Sequence, residues 1–194
     1  ECIKQYIKDI TMEPISTIAM ATGLSWASGI RLYATVLVVG LLGKFSVINL
    51  PDGLDILTNV WVLGVSGVLM IVEFVADKVA WVDSTWDAIH TFIRIPAGAL
   101  LAVGALGSDN AAATTVIALL GGSLTGVTHA AKAGTRALVN TSPEPVSNVV
   151  TSVAEDGLWL TGGVMALVFP VVFMGGIALF VLAVLWYAPK LYKT

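Results

Sequence analysis

The stretch VDSTWDAIHTFIRIP, residues 82–96, decides the fold. Read as a helix, it sets Asp83, Asp87, His90 and Arg94 at steps of four, three and four, so that all four share one face. A second stretch, PEPVSNVVTSVAEDG at 143–157, repeats those steps with Glu144, Asn148, Thr151 and Glu155. Both lie in a chain that is otherwise strongly apolar. A charged side chain in hydrocarbon costs about 3 kcal/mol even on a lenient insertion scale. The two stripes therefore predict helices whose polar faces turn toward a lined interior and away from lipid.

Working outward, the composition agrees. Of 194 residues, 57% are hydrophobic and 12% charged, and the mean hydropathy is +0.89. Soluble domains carry roughly 25% charged residues. The run from Gly157 to Pro189 contains no charge, and about 20 apolar residues suffice to cross a bilayer. The sequence predicts an all-α, polytopic transmembrane bundle of about five or six spans with no separate soluble domain. No basic patch exists to suggest nucleic acid. The lone Cys2 excludes an internal disulfide and a cysteine metal cage, and no cofactor is indicated. Residues 1–11, before Met12, read as an amphipathic lead-in or as non-native residues, leaving 12–194 as one integral-membrane domain.

The first apolar segment, Ile15 to Gly43, carries Arg31 near its middle among Ser25, Ser28 and Gly29. Either the helix ends near Gly29 and Arg31 snorkels to an interface, or Arg31 is buried with an acidic partner. The second reading is favoured, with Glu73, Asp77 or Asp87 as the partner. Lys44 to Asp55 has turn chemistry in Asn49, Pro51, Asp52 and Gly53. The next span, Ile56 to Val72, runs on into Glu73 and Asp77, four apart, which either reach water or lie inside. The stripe that follows is polar and then apolar, and Pro96 predicts a kink. It reads as a half-helix entering from a lined cavity, with a lateral surface helix as the alternative.

GSDN at 107–110 is a turn, and the span from Ala111 to Val127 ends in His129, Lys132 and Arg136, all on one face. NTSPEP breaks the chain at 140–145. In the long uncharged run, Pro170 and the Gly175-Gly176 pair either kink one helix or divide two. Lys4, Lys8, Lys190 and Lys193 are expected to lie with both termini in the cytoplasm, which would require an even number of crossings and hence six.

The segment from Val60 can be laid over the one from Val116, giving repeat halves of about 56–107 and 112–168. Glu73 then falls on His129, and, after a gap of five residues, Arg94 falls on Glu155. Each half reads apolar span, polar end, turn, polar stripe, apolar span. Inverted duplication of this kind builds many secondary transporters around broken helices. The acidic end of one half complements the basic end of the other, and Arg94 with Glu155 is expected as a structural ion pair.

The segments HAAKAGTR (129–136), TSPEPVSN (141–148) and VDSTWD-x-x-H-T-F-I-R-x-P-A-G (82–98) resemble the hallmark segments of a prokaryotic inner-membrane family catalogued only as a domain of unknown function. The likeness spans nearly all of residues 12–188. It implies inner-membrane location and a duplicated helical architecture, and it implies no activity.

Three functions fit these residues. The leading one is a small transporter or flippase-like carrier, proton-coupled, with a small anionic or lipid substrate. Its expected substrate-binding groups are Arg31, Glu73, Asp77, Asp83, Asp87, His90, His129, Lys132, Arg136 and Asn148. Asp83, Asp87, His90, Glu155 and Asp156 are candidates for carrying the proton, His90 because its ordinary pKa lies near neutrality. Asp87 and His90 are expected at a solvent-connected site. The second is a membrane scaffold, homo-oligomeric or otherwise, whose ion pairs only specify packing. The third is an intramembrane metal enzyme built on Asp87 and His90 with Glu73 or His129. HExxH and GxSxG signatures are absent from the sequence.

Overall fold

A computed structural model of the protein describes residues 14–141 and 145–191. Six α-helices and one 3-10 helix account for the described chain. They are α1 (Pro14–Lys44), the 3-10 helix Asp52–Thr58, α2 (Val60–Ala76), α3 (Ala80–Leu106), α4 (Ala111–Val139), α5 (Pro145–Val168) and α6 (Pro170–Leu191). Their ends carry ordinary signals. The Asn59 side chain accepts the Trp61 N–H at the start of α2, and Asn110 accepts those of Ala112 and Ala113 at the start of α4. Gly107, at φ +58°, closes α3 in a conformation that a side chain resists.

Four helices are long and apolar enough to cross a membrane: Ile15–Lys44, Val82–Leu106, Ala111–Val139 and Pro170–Tyr187. The 3-10 helix and α2 make a fifth if they count as one span bent by 67°. The described helices thus give four spans, or five with the bent pair, against the five or six expected; α5, which carries Glu155 and Asp156, is not among them. The surface is that of a membrane protein. Val60, Trp61, Val65, Val68 and Ile71 of α2 are exposed, as are Leu119 and Leu120 of α4, while charged groups are buried. That inverts the distribution of a soluble domain.

Helix α1 is the axis, touching every other helix, and α3 with α4 forms the most extensive pair. One apolar cluster joins Met20, Ala21 and Leu24 to Leu54, Leu57, Leu101, Ala102 and Ala105. A second joins Trp26, Ala27 and Ile30 to Ala166 and Phe173. Between lipid-embedded helices there is little hydrophobic drive, so close backbone approach has to supply the packing. It does so where α1, α3 and α4 meet. A Cβ on Gly98 would collide with the Thr125 side chain, and one on Gly121 with Ala102. The Thr125 hydroxyl lies 2.7 Å from the Ser25 carbonyl and 2.9 Å from that of Gly121, and the Ser25 hydroxyl donates across to the Gly98 carbonyl.

Three local expectations change. The second span begins at Val60, because Asp52–Thr58 is a separate 3-10 turn. Pro96 neither ends nor divides α3, which runs unbroken through it, so this is no half-helix. Pro170 does divide the long apolar run: α5 stops at Val168 and α6 starts at the proline, whose fixed φ suits a first helical position.

The broken helix is α1. Arg31 has φ −140° and ψ 83°, well outside helical geometry, so two helical segments join there. The interruption lies two residues past Gly29, where a Cβ would meet the α4 backbone at Thr125 and the Thr128 side chain. Carbonyls freed by the break find new donors. The Thr35 hydroxyl bonds the Arg31 carbonyl at 2.7 Å, and Lys132 Nζ reaches the Ile30 carbonyl at 3.3 Å.

Candidate functional site: a buried charge network beside a cavity

The stripe on α3 faces inward. Asp83, Asp87, His90 and Arg94 are all buried, while Ser84, Thr85, Ile89, Phe92 and Ile93 between them are exposed. On the facing side of the second stripe, Asn148 and Ser152 of α5 are buried; Glu144 lies outside the described residues. The acidic end of α2 and the basic end of α4 close the ring.

Arg31 extends from the break in α1 to two carboxylates. Its Nη1 lies 2.6 Å from Asp77 Oδ2, its Nη2 lies 2.7 Å from Asp156 Oδ1, and the Nη2 also donates to the Ser152 hydroxyl. The reading of a buried arginine with an acidic partner is the one realised, and snorkelling is not. Glu73 and Asp77, at or just past the end of α2, are fully buried and do not reach water.

Arg94 takes Glu73 at 2.5 Å and Asp87 at 3.0 Å. It also donates to His129 Nδ1 at 2.8 Å. A guanidinium can only donate, so this nitrogen must accept and His129 is held neutral, its Nε2–H directed to the Thr91 hydroxyl at 2.8 Å. Arg136 grips Glu155 with two short bonds, Nε to Oε1 at 2.9 Å and Nη2 to Oε2 at 2.7 Å, the bidentate geometry that suits arginine. Its Nη1 donates to the Asp77 and Asn148 carbonyls and to the Asn148 side chain. Asp83 stands apart: Asn140 Nδ2 donates to it at 3.0 Å, and its nearest cation, Arg136 Nε, is 4.0 Å away.

Arg94 and Glu155 therefore do not pair with each other. The expected pair is replaced by two others: Arg94 meets Glu73 and Asp87, and Glu155 meets Arg136. Asp87 and His90 do not form a common solvent-connected site. They are 4% and 5% exposed. Asp87 belongs to the Arg94 cluster, whereas His90 stacks on Trp86 and bonds the Tyr33 hydroxyl at 2.9 Å and the Trp86 carbonyl at 2.7 Å. Among the described residues no group of three His, Cys, Asp or Glu side chains is placed to hold a metal ion.

Sequence reasoning passed over Ser152, Asn140, Thr91 and Tyr33. The first was legible: Asn148, Ser152 and Asp156 are spaced by four and share a face as good as the one chosen. The other three are neutral partners recruited across helices, and no periodicity within one helix marks them.

Lys132 differs from the arginines. Its ammonium contacts Asp77 at 3.3 Å, Asp87 at 3.7 Å and Glu155 at 4.0 Å. All exceed the 2.7–2.9 Å usual for a charge-assisted bond. Lys132 and Glu155 also line a cavity of about 500 Å³ between α1, α4, α5 and α6. Its far walls are Trp26, Leu158, Met165, Phe173, Ile177 and Phe180. A smaller cavity of about 120 Å³, between α1 and α5, is almost wholly apolar.

In the network, six carboxylates (Glu73, Asp77, Asp83, Asp87, Glu155, Asp156) meet four basic side chains (Arg31, Arg94, Lys132, Arg136). Asp156 is 34% exposed; setting it aside leaves five acids against four bases, the fifth being Asp83, which lies 4.0 Å from its nearest cation. Glu73 Oε2, Asp77 Oδ1, Asp83 Oδ1 and Asp87 Oδ2 have no hydrogen-bond partner among the described residues, and neither do Arg31 Nε and Arg94 Nε. The arrangement can hold a proton or a cation against surplus carboxylate, and it presents one loosely held ammonium to a cavity.

No curated protein and no solved structure matches the chain. A family model matches residues 18–190, covering both stripes, the break at Arg31 and every member of the network, and the chain accordingly belongs to the family described as Domain of unknown function (DUF4126).

Proposed function

We propose that the protein is a small carrier of the prokaryotic inner membrane that moves an anionic substrate together with protons. One observation carries this reading: Lys132 and Glu155 belong both to the buried charge network and to the wall of the 500 Å³ cavity. A passenger in the cavity is thereby in contact with the groups that would carry the coupling proton. The carboxylate surplus supports coupling, since adding an anion to a cluster already short of cations is disfavoured unless a proton comes with it. The discontinuity in α1 supports it as well, because interrupted helices at carrier sites bring backbone carbonyls to the bound ion.

An inverted repeat of residues about 56–107 and 112–168 would explain why each half supplies one polar helix end and one polar stripe to the same network. The rival reading is a scaffold, favoured by the bidentate Arg136–Glu155 pair, which resembles a fastening more than a binding site.

The two separate in proteoliposomes loaded with a pH-sensitive dye. A carrier gives protein-dependent internal acidification when an outside anion is added, tested with inorganic phosphate, short carboxylates and alkyl phosphates in turn. Lys132→Gln removes that signal while helix content stays unchanged. Intact, correctly folded protein that moves protons with none of these anions is a scaffold.

A further inference from the structure

The two charged residues that line the cavity between α1, α4, α5 and α6, Lys132 and Glu155, lie together, 4.0 Å apart. Lys132 is the one basic residue among its lining residues, and Glu155 the one acid. Glu155 is already neutralised by the two bonds from Arg136, whereas the Lys132 ammonium has three donors and no contact shorter than 3.3 Å. Three hydroxyls near it use their protons on their own helices: Thr128 donates to Leu124, Thr135 to Ala131 and Thr151 to Ser147. The cationic donor of the cavity is thus Lys132, almost completely buried and under-bonded. Away from it the walls turn apolar and aromatic, through Trp26, Met165, Phe173, Ile177 and Phe180. A volume of about 500 Å³ falls within the range of small-molecule sites.

We infer that this cavity binds a single amphiphile: an acyl or alkyl chain along the apolar wall, and a phosphate or carboxylate head on Lys132 Nζ. This deepens the carrier reading by naming its substrate class. A small hydrophilic anion would leave the aromatic wall unused, and a cationic amphiphile would meet Lys132. Lysine suits the role, since it serves phosphate as a mobile point charge and its loose ties to Asp77, Asp87 and Glu155 can be given up. The head group chemistry is shared by membrane lipids and by free alkyl phosphates or fatty acids, so both sources are tested.

The experiment is equilibrium binding to the purified full chain in a non-ionic detergent, read by tryptophan fluorescence and by thermal shift. The probes are dodecyl phosphate, dioleoyl phosphatidic acid, inorganic phosphate and dodecyltrimethylammonium. Saturable binding is expected for one or both of the first two, and the tighter one identifies the source. Inorganic phosphate and the cationic probe should bind at least tenfold more weakly. Lys132→Gln should weaken dodecyl phosphate at least tenfold.

Because Lys132 also serves the network, a second variant guards against misfolding. Gly176 lines the cavity, and a Cβ there meets nothing within 4 Å. Gly176→Leu should therefore fold normally, fill the site and abolish binding. Equal binding of the cationic and anionic probes, or anionic binding untouched by Gly176→Leu, overturns the inference. Binding without flux in proteoliposomes would remove the carrier reading and leave the site standing. Phosphate-driven flux without amphiphile binding would do the reverse.

Discussion

Two regions hold the same three helices together by opposite means. Toward one end, α1, α3 and α4 meet through small residues, with Gly98 against Thr125, Gly121 against Ala102 and hydroxyls closing onto backbone carbonyls. Toward the other, they are joined by arginine and lysine to carboxylates from α2, α3 and α5. The first region tolerates no added volume, and the second tolerates no unmatched charge. The difference teaches where stability and function can be separated. The small-residue joint has no spare polar group, whereas the charge network holds surplus acids and an under-bonded lysine.

The largest effect should come from unmatching a buried arginine. Arg94→Ala strands Glu73 and Asp87, and breaking a buried pair costs about 3–5 kcal/mol. Thermal denaturation in detergent should show the steepest loss of any single change, with Glu73→Gln and Asp87→Asn together restoring part of it. If Arg94→Ala melts like the parent, the network does not hold the helices and the contrast collapses.

Next should come overfilling of the joint. Gly98→Val drives a side chain into Thr125, and overpacking typically costs about 1–3 kcal/mol. Adding Thr125→Ala should recover much of the loss, since it removes the atoms struck.

Acid should act on one region only. Burial pulls the Asp77 carboxyl upward, but Lys132, Arg31 and Arg136 outweigh it and hold the pKa below its ordinary 3.8. A carboxyl depressed in the folded state contributes stability above its unfolded pKa and loses it as pH falls through the folded one. The melting temperature should therefore drop as pH is taken below about 4. Asp77→Asn should flatten that part of the profile, and an unchanged profile would remove Asp77 from the energetics.

Smallest is a control on packing. Gly64 in α2 has open space where a Cβ would sit, so Gly64→Ala should be neutral or raise stability by roughly 0.5–1 kcal/mol. A loss there comparable to Gly98→Val would show that glycine content alone, and not the contact with Thr125, sets the sensitivity.

The faces of the helices were legible in the sequence, because a stripe at steps of four and three fixes which residues lie together on one helix. Asp83, Asp87, His90 and Arg94 followed it. That Arg31 needs an acid was also legible, since a buried guanidinium must be neutralised. The pairing was not. Periodicity gives each helix a face but does not give the rotation or depth of one helix against another. Those decide that Arg94 meets Glu73 and not Glu155, and that His90 turns to Tyr33. Pro96 looked like a break and is not. Arg31, with only Ser25, Ser28 and Gly29 nearby as a hint, is one, because its conformation answers to Asp77 and Asp156 on distant segments.

The interruption at Arg31 also has a consequence for how the chain is made. Ribosomal synthesis delivers α1 before the acids that neutralise it, since Asp77 follows 46 residues later and Asp156 later still. A central arginine costs about 2.5–3.5 kcal/mol on the translocon scale. Until Asp77 has been made, α1 carries that cost unrelieved, and the pairing of Arg31 with Asp77 is what removes it.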